Sequence, residues 1–427
     1  MAEPAPRPHR FHARVLSATT LPEIAREIGA TASDPEGVGI MTRKGRIFAV
    51  RLDEVSLKAA PILKQELLSV GGDAAHARGV ADHSVAQTPV VLLATWGQYR
   101  RLLPKLRRQP FRLAELSEEL DRALRSFVAH GPRPLKAAHR TITLGDRPRV
   151  MGVVNVTPDS FSDGGRYLAP DLAVARAETM ASEGADVIDI GGESTRPGAT
   201  SVSAEVEWKR VGPVLDRLRG RFKVPLSIDT RHAEVAAKAV EAGADLVNDV
   251  EGLRTEEMRR VVARTGAAAV VMHMRGTPET MQSNTDYVDL RGEVYRTLAA
   301  ATDRAVADGI EPDRLLIDPG LGFGKTAAQS LELLWHADEF RSLGFPVLLG
   351  ASRKSFLGWA LGSGGPLDRM EAGLAAAVLA AERGVDLVRT HDVRETVRAL
   401  QLVARGRTLA ESAALPAEPL ATTEPDF

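Results

Sequence analysis

A polar, turn-rich segment in the middle of the chain, Asn155–Gly165, contains the residues whose chemistry is easiest to interpret. It continues an apolar run, Val150–Val156, that has the composition of a buried strand. Proteins with parallel sheets place binding and catalytic residues in loops that follow strands in this way. Asn155 and Asp159 carry oxygen ligands of the kind that Mg²⁺ takes together with substrate oxygens. The segment therefore predicts a Mg²⁺ position beside a phosphorylated substrate.

Other apolar segments also end in polar residues, and these residues divide into two chemical groups. The first group matches the N–H donors and ring acceptors of a planar, nitrogen-rich heterocycle, and consists of Asp229, Asn248 and Asp318. The second group is cationic and suits an oligophosphate, which arginine can contact through two N–H groups; it consists of Arg196, Lys354, Arg389 and His391. Together they predict a site that displaces or transfers a phosphorylated group.

The segments that position these residues form a regular α/β pattern after residue 148. Apolar, strand-like runs occur at Val150–Val156, Val187–Ile190, Leu226–Asp229, Leu246–Asp249, Ala268–His273, Leu315–Asp318, Val347–Ala351 and Leu387–Thr390. Helical stretches separate them, so the pattern matches a (β/α)₈ TIM barrel in both number and length. A doubly wound open sheet also alternates strands and helices, but its functional loops gather at one switch point. Functional residues here follow strand after strand, which favours the barrel.

The region before the barrel is predicted to be a small α+β domain. Gly37–Leu52 has the pattern of a β-hairpin, Ser56–Leu68 of a helix and Val90–Ala94 of a buried strand. A basic helix follows at Arg100–Arg108, which we interpret as one packed face and one solvated face rather than a nucleic-acid surface. We predict three segments: an α+β extension at 1–138, the barrel at 139–408 and a disordered tail at 409–427.

Composition excludes several classes of protein. The net charge of −1 gives no basis for nucleic acid or an anionic membrane as a partner. The chain has no cysteine, which excludes disulfides, thiolate metal sites and a cysteine nucleophile, and is compatible with a reducing compartment. No apolar run approaches the roughly 20 residues of a membrane span, and Met1–Pro8 does not have the apolar core of a secretion signal. We therefore expect a cytoplasmic protein.

Five segments resemble the dihydropteroate synthases of folate biosynthesis, and they occur in that family's order. They are Asn155–Gly165, Gly192–Gly198, Asp318–Lys325, Ser352–Ser355 and Arg389–Asp392. The resemblance covers about 60% of the chain, from residue 145 to 407, and does not extend to the first 140 residues. It implies a transferase that condenses 6-hydroxymethyl-7,8-dihydropterin diphosphate with 4-aminobenzoate, releasing pyrophosphate, and it implies a homodimer.

The resemblance also implies a role for each matching residue. The pterin would be held by Asp229, Asn248, Asp318 and Lys354. The diphosphate would lie near Thr195, Arg389 and His391, with Mg²⁺ on Asn155. The loops around Phe161 and Arg196-Pro197, together with Ser352, would shape the aminobenzoate site. The residues expected to act in catalysis itself are Asp229, Lys354 and Arg196.

Structural interpretations compete with some of these roles. Asp229 also fits the N-cap of a helix that starts near Ala233, and Asn248-Asp249 fits ordinary turn chemistry. His273, at the end of an apolar strand, is interpreted as a hydrogen-bonded structural histidine. Gly322–Lys325 superficially resembles a phosphate loop but lacks its full spacing. At the level of function, the alternatives are a pterin-dependent methyltransferase and a non-catalytic pterin-binding protein.

Overall fold

The computed structural model describes residues 14, 16, 18–129, 131–157, 169–194, 201–362 and 365–412. These residues fall into two compact units, one within 1–121 and 406–427 and the other within 122–405. In the described part of the chain, no helix is both long enough and apolar enough to cross a membrane.

The first unit is a small α+β structure, as predicted. Its antiparallel sheet has the order β1-β3-β2 and consists of β1 (Ile47–Ser56), β2 (Asp73–His76) and β3 (Gln87–Thr95). Its helices are α1 (Leu21–Gly29), α2 (Pro35–Thr42), α3 (Ala59–Ser69), α4 (Trp96–Leu106) and the start of α5 (Leu113–Val128). Tyr99 of α4 is buried and donates a hydrogen bond to Phe48 O (3.0 Å), which ties the helix to the sheet.

The predicted hairpin at Gly37–Leu52 is wrong in its first half, which forms α2. Asp34 caps this helix, because its carboxylate accepts hydrogen bonds from the N–H groups of Glu36 (2.9 Å) and Gly37 (3.4 Å). Pro35 occupies the first helical turn, where a missing N–H costs nothing. These start signals outweigh the apolar run Val38–Met41, which alone favours a strand.

The second unit is the predicted TIM barrel. Its strands are β6 (Arg149–Asn155), β7 (Val187–Gly191), β8 (Leu226–Asp229), β9 (Leu246–Asp249), β10 (Ala268–Met272), β11 (Leu315–Asp318), β12 (Leu348–Gly350) and β13 (Leu387–Thr390). All neighbouring pairs are parallel, and a bridge between Ile317 and Val347 joins the two ends of the sheet. The helices around it are α6 (Ala169–Ser182), α7 (Ala204–Leu218), α8 (Ala233–Glu241), α9 (Glu256–Thr265), α10 (Leu290–Ala307), α11 (Ala327–Trp335), α12 (Ser355–Leu361), α13 (Met370–Glu382) and α14 (Val393–Ser412).

A short hairpin, β4 (Arg133–Lys136) with β5 (Thr141–Leu144), packs on the barrel interior at the end where the strands begin. Its Leu135 and Leu144 share one buried cluster with Met151, Val187 and Leu246 near the starts of three barrel strands. This apolar plug closes one end of the barrel, so the polar strand ends face the other opening.

The predicted segment boundaries remain predictions. β4 lies before the proposed start of the barrel at residue 139, and α14 continues to Ser412, past the proposed end at 408. Most of the predicted tail, 413–427, lies outside the described residues.

Candidate active site

The barrel brings together, at the carboxyl ends of its strands, the predicted site residues that the structure describes. Asn155, Asp229 and Asp318 end strands β6, β8 and β11, while Asn248 and Arg389 are next to last in β9 and β13. Ser352 and Lys354 follow β12, and His391 follows β13. In a parallel barrel these positions surround one mouth. Phe161, Thr195, Arg196 and Pro197, as well as Asp159, lie outside the described residues.

Arg389 lies between two carboxylates at this mouth. Its Nε donates to Asp189 Oδ2 and its Nη2 to Asp229 Oδ2, both at 2.7 Å. Asn248 Nδ2 donates to the same Asp189 oxygen at 3.0 Å. One arginine and one amide therefore link strands β7, β8, β9 and β13 in a single buried polar network.

This network shifts the protonation of Asp229. Burial raises the pKa of its carboxyl to about 7, although the Arg389 charge opposes the shift and the Asp189 charge adds to it. Burial alone would lower the pKa of Arg389, but the two carboxylates outweigh it and raise that pKa above its usual value. Asp229 thus titrates near neutral pH, while Arg389 stays charged.

Lys354 and Asp318 form a second charged group beside the first. Lys354 Nζ donates to Leu321 O and lies 4.4 Å from the centre of the Phe323 ring. Burial lowers the pKa of Lys354 to about 8 against the effect of Asp318, and burial raises the pKa of Asp318 against the effect of Lys354. Asp318 Oδ1 also accepts from Gly320 N (2.7 Å), so this carboxylate shapes its own loop as well.

Ser352 and His391 meet across the ends of β12 and β13. Ser352 Oγ lies 3.2 Å from His391 Nδ1 and accepts from His391 N at 3.2 Å. The adjacent pair Arg353–Asp392 (2.6 Å) bridges the same two loops. Hydroxyl and imidazole are therefore held together at the rim.

Residues 151–391, more than half of the chain, match the protein family described as pterin binding enzyme. The chain belongs to this family. The dihydropteroate synthase of Synechocystis sp. is 46% identical over 263 residues, which cover 61% of this chain and 91% of the relative. The Escherichia coli dihydropteroate synthase is 44% identical over 256 residues, covering 60% and 90%. The resemblance inferred from the five segments is confirmed.

Solved structures give the same result for the barrel. Dihydropteroate synthase of Xanthomonas albilineans with 4-aminobenzoic acid is 47% identical, with a TM-score of 0.62, and the match covers 65% of this chain and 99% of that one. The same enzyme in complex with 7,8-dihydropteroate is 44% identical, with a TM-score of 0.59 and coverage of 64% and 99%.

A longer match includes the first unit. A probable bifunctional folylpolyglutamate synthase/dihydropteroate synthase of Halobacterium salinarum is 46% identical over 383 residues, or 88% of this chain. A match of 383 residues is longer than the part of the chain from residue 122 to the end. It therefore includes residues before 122. The chain spans 45% of the length of that relative.

Two places in the barrel have side chains that could bind a metal ion. The side chain of Asn155 is half-buried at the mouth and forms no hydrogen bond within the described residues, so its oxygen is available to a cation. A second group, Glu193, Glu207 and His232, has ligand atoms within 4.8 Å of one another. There, however, Glu193 is already paired with Arg231 at 3.0 Å, and His232 Nε2 lies 3.1 Å from Val202 O. Two members of this second group, Glu193 and His232, are therefore already engaged within the protein.

Sequence reasoning missed Asp189, whose side chain is 0% exposed and holds both Arg389 and Asn248. The signal was a carboxylate inside the apolar strand Val187–Gly191, where burial demands a partner. Its Oδ1 has no hydrogen-bond partner among the described residues.

The structural alternatives have mixed outcomes. Asp229 is not a helix cap, because α8 is capped at His232 without a side-chain hydrogen bond. In the Asn248-Asp249 pair, it is Asp249 whose carboxylate stabilises the following turn, by accepting hydrogen bonds from Glu251 N (2.8 Å) and Leu253 N (2.9 Å). His273 is a buried, hydrogen-bonded histidine, as predicted.

Proposed function

We propose that this chain is a dihydropteroate synthase of folate biosynthesis. It condenses 6-hydroxymethyl-7,8-dihydropterin diphosphate with 4-aminobenzoate and releases 7,8-dihydropteroate and pyrophosphate. The observation that carries the proposal is the buried network of Asp229, Asn248, Asp189 and Arg389 beside Lys354, in a barrel of the pterin binding enzyme family. It offers acceptors and donors for a heterocycle next to cations for a diphosphate.

In this proposal the pterin lies deepest. Carboxylates of Asp229 and Asp318 accept from its ring N–H and amino groups, while Asn248 and Lys354 donate to its ring acceptors. Asp318 and Asn248 are almost fully buried, so these hydrogen bonds form out of water, where an unpaired polar group is costly. Recognition of the pterin therefore depends on several groups with fixed orientation.

The diphosphate lies toward the rim. Arg389, His391 and Thr195 contact it, and Ser352 fixes the ring of His391 through the 3.2 Å contact. Magnesium fits at Asn155 and, when bound, supplies positive charge that makes the diphosphate a better leaving group. Arg196 and Lys354 add cationic charge near the same group.

The reaction breaks the bond between the pterin methylene carbon and the diphosphate oxygen. The electron pair leaves with pyrophosphate, and the positive charge on the methylene spreads into the pterin ring. The carboxylate of Asp229 stabilises that charge, and the neutral arylamine nitrogen then forms the new C–N bond and loses a proton to water. Phe161 and Pro197, with Ser352, shape the aminobenzoate site. No strong general base is required.

We further propose a cytoplasmic homodimer, with small molecules rather than nucleic acid or membrane as its other partners. Exposed apolar side chains on three adjacent helices support an interface: Trp335 of α11, Trp359 and Leu361 of α12, and Met370 of α13. Light scattering tests this, because Trp359→Glu is expected to shift the mass toward the monomer. An unchanged mass would place any interface elsewhere.

Pyrophosphate release from the dihydropterin diphosphate, with and without 4-aminobenzoate and Mg²⁺, tests the activity. We expect release that needs Mg²⁺, dihydropteroate only when the amine is present, and little turnover in Lys354→Met. Lys209→Met is the matched control, since Lys209 is exposed and, within the described part of the chain, forms an ion pair with Glu205 alone, on its own helix. Tight pterin binding without release would support the methyltransferase or the non-catalytic alternative instead.

A further inference from the structure

Lys325 is a buried lysine that the proposed reaction does not use. Its side chain is 2% exposed, at the end of the loop Asp318–Lys325 between β11 and α11. Its Nζ lies 3.0 Å from both Gly320 O and Phe323 O within that loop. It also lies 2.8 Å from His273 Nδ1 and 3.4 Å from His273 O, just beyond β10. One amino group thus joins the loop to the neighbouring strand end.

The protonation states fit this bridge. Burial, together with the Lys325 charge, lowers the pKa of His273 to about 2, so the imidazole is neutral and its Nδ1 can accept a hydrogen bond. Burial also lowers the pKa of Lys325 well below its usual value, with Asp318 opposing that shift and Lys354 and Arg275 adding to it. His273 therefore serves as an acceptor for Lys325 rather than as a proton donor to substrate.

The loop that Lys325 closes carries much of the candidate site. It contains Asp318, the Leu321 carbonyl that accepts from Lys354, and the Phe323 ring beneath that ammonium. It also passes very close to β10: at Gly320, where φ is +68°, a Cβ atom would lie 2.0 Å from His273 O. At this point the loop lies so close to His273 that a side chain at position 320 would not fit.

We propose that Lys325 and His273 are a positioning pair, which holds the Asp318–Lys325 loop so that Asp318 and Lys354 meet the pterin. The pair does not touch substrate. This inference rests on the proposed function for the identity of the ligand, but its structural part, the hold on the loop, is independent of turnover.

Two substitutions of His273 separate positioning from simple packing. His273→Asn keeps an oxygen where Nδ1 lies, so Lys325 retains its acceptor, whereas His273→Leu has similar bulk and no acceptor. We expect the leucine variant to weaken binding of a 7,8-dihydropterin by about 10-fold to 100-fold, since misplacing a positioned group by about 1 Å can cost about 100-fold, and the asparagine variant to recover most of it. KM for the pterin substrate should rise with little change in KM for 4-aminobenzoate. His336→Leu is the control, at a histidine outside the site.

Hydrogen exchange without ligand gives the second readout. Peptides covering 318–325 should exchange faster in His273→Leu than in His273→Asn or wild type, while peptides covering β6 and β7 stay unchanged. Unchanged exchange in the leucine variant, or equal losses of pterin binding in both His273 variants, would overturn the inference. A wild-type protein that binds the pterin without turnover would instead count against the proposed reaction and leave these two comparisons valid.

Discussion

Asp189→Asn is the substitution that most directly tests the electrostatics of the site. Asp189 and Asp229 share the Arg389 guanidinium, each at 2.7 Å, and the Asp189 charge contributes to the raised pKa of Asp229. Asparagine keeps the shape and an oxygen acceptor for Arg389 and Asn248 but removes the charge. The Asp229 carboxyl is then left with Arg389 as its partner and one repelling neighbour fewer, so its pKa must fall.

The size of the shift follows from the geometry. With ~6 Å between the two carboxylates, across one guanidinium, and an effective dielectric of about 20, Coulomb repulsion is about 3 kcal/mol, an upper limit near 2 pKa units. Because Arg389 compensates part of this repulsion, we expect a fall of about 1–2 units. The pKa of Asp229, about 7 in the native chain, should move to between about 5 and 6.

The assay is the pH dependence of kcat/KM for pyrophosphate release between about pH 5 and 9, which reports groups of the free enzyme. Under the proposed function Asp229 acts as a carboxylate, so activity should decline on the acid side as it becomes protonated, and that decline should move to lower pH in Asp189→Asn. Substrate groups titrate identically in both enzymes and cancel in the comparison. Ser227→Ala is the control, because Ser227 lies beside Asp189 in the sheet register and carries no charge. An acid limb that stays in place, or moves to higher pH, would refute the reasoning.

Three further predictions concern other parts of the barrel. Asp229→Asn should lower kcat by about 100-fold or more while pterin affinity, measured by calorimetry, changes far less; equal losses would make Asp229 a ligand only. A chain of residues 131–412 should fold. A chain of residues 139–412 lacks β4 and its buried Leu135 (1% exposed), so its free energy of unfolding in urea should be lower by about 2–5 kcal/mol. Equal stability of the two chains would show that the hairpin is dispensable. Burial raises the pKa of Glu207 from 4.5 to about 8, so its contribution to stability is complete below about pH 4.5 and is lost as pH rises through 8. Glu207→Gln should therefore match wild type in its free energy of unfolding near pH 4.5 and exceed it above pH 8, by at most about 4–5 kcal/mol; a pH-independent difference would contradict this.

The barrel was predictable because its elements are marked locally. Buried parallel strands are continuous apolar runs, so Leu226–Asp229 and Leu246–Asp249 were predicted with their observed bounds. Helices α7 and α9 also carry a local start signal, because Ser203 and Thr255 cap them through their side-chain oxygens. The error at α2 shows the limit of this approach, because a short apolar run fits a strand or a helix until its cap is considered.

The connections within the site could not be predicted from local pattern. Arg389 and Asp189 are 200 residues apart, and Lys325 and His273 are 52 apart, so no spacing rule brings them together. Asp189 looked like one polar residue in an apolar strand, and Lys325 like part of a glycine-rich loop. Only the closed barrel shows that Asp189 binds Arg389. It also shows that the amino group of Lys325 is surrounded by carbonyl oxygens and an imidazole.

The shared arginine also links substrate binding to catalysis under the proposed function. Without substrate, Arg389 compensates the charge of both Asp189 and Asp229. A diphosphate competes for the same guanidinium, because phosphate oxygens accept its N–H groups as well as a carboxylate does. As Arg389 turns toward the diphosphate, Asp229 loses part of its compensation at the place where the methylene carbon becomes positive. Because the Arg389 charge opposes the raised pKa of Asp229, its loss favours the protonated carboxyl until positive charge develops on the methylene carbon. Ionisation of Asp229 and departure of the diphosphate therefore depend on each other.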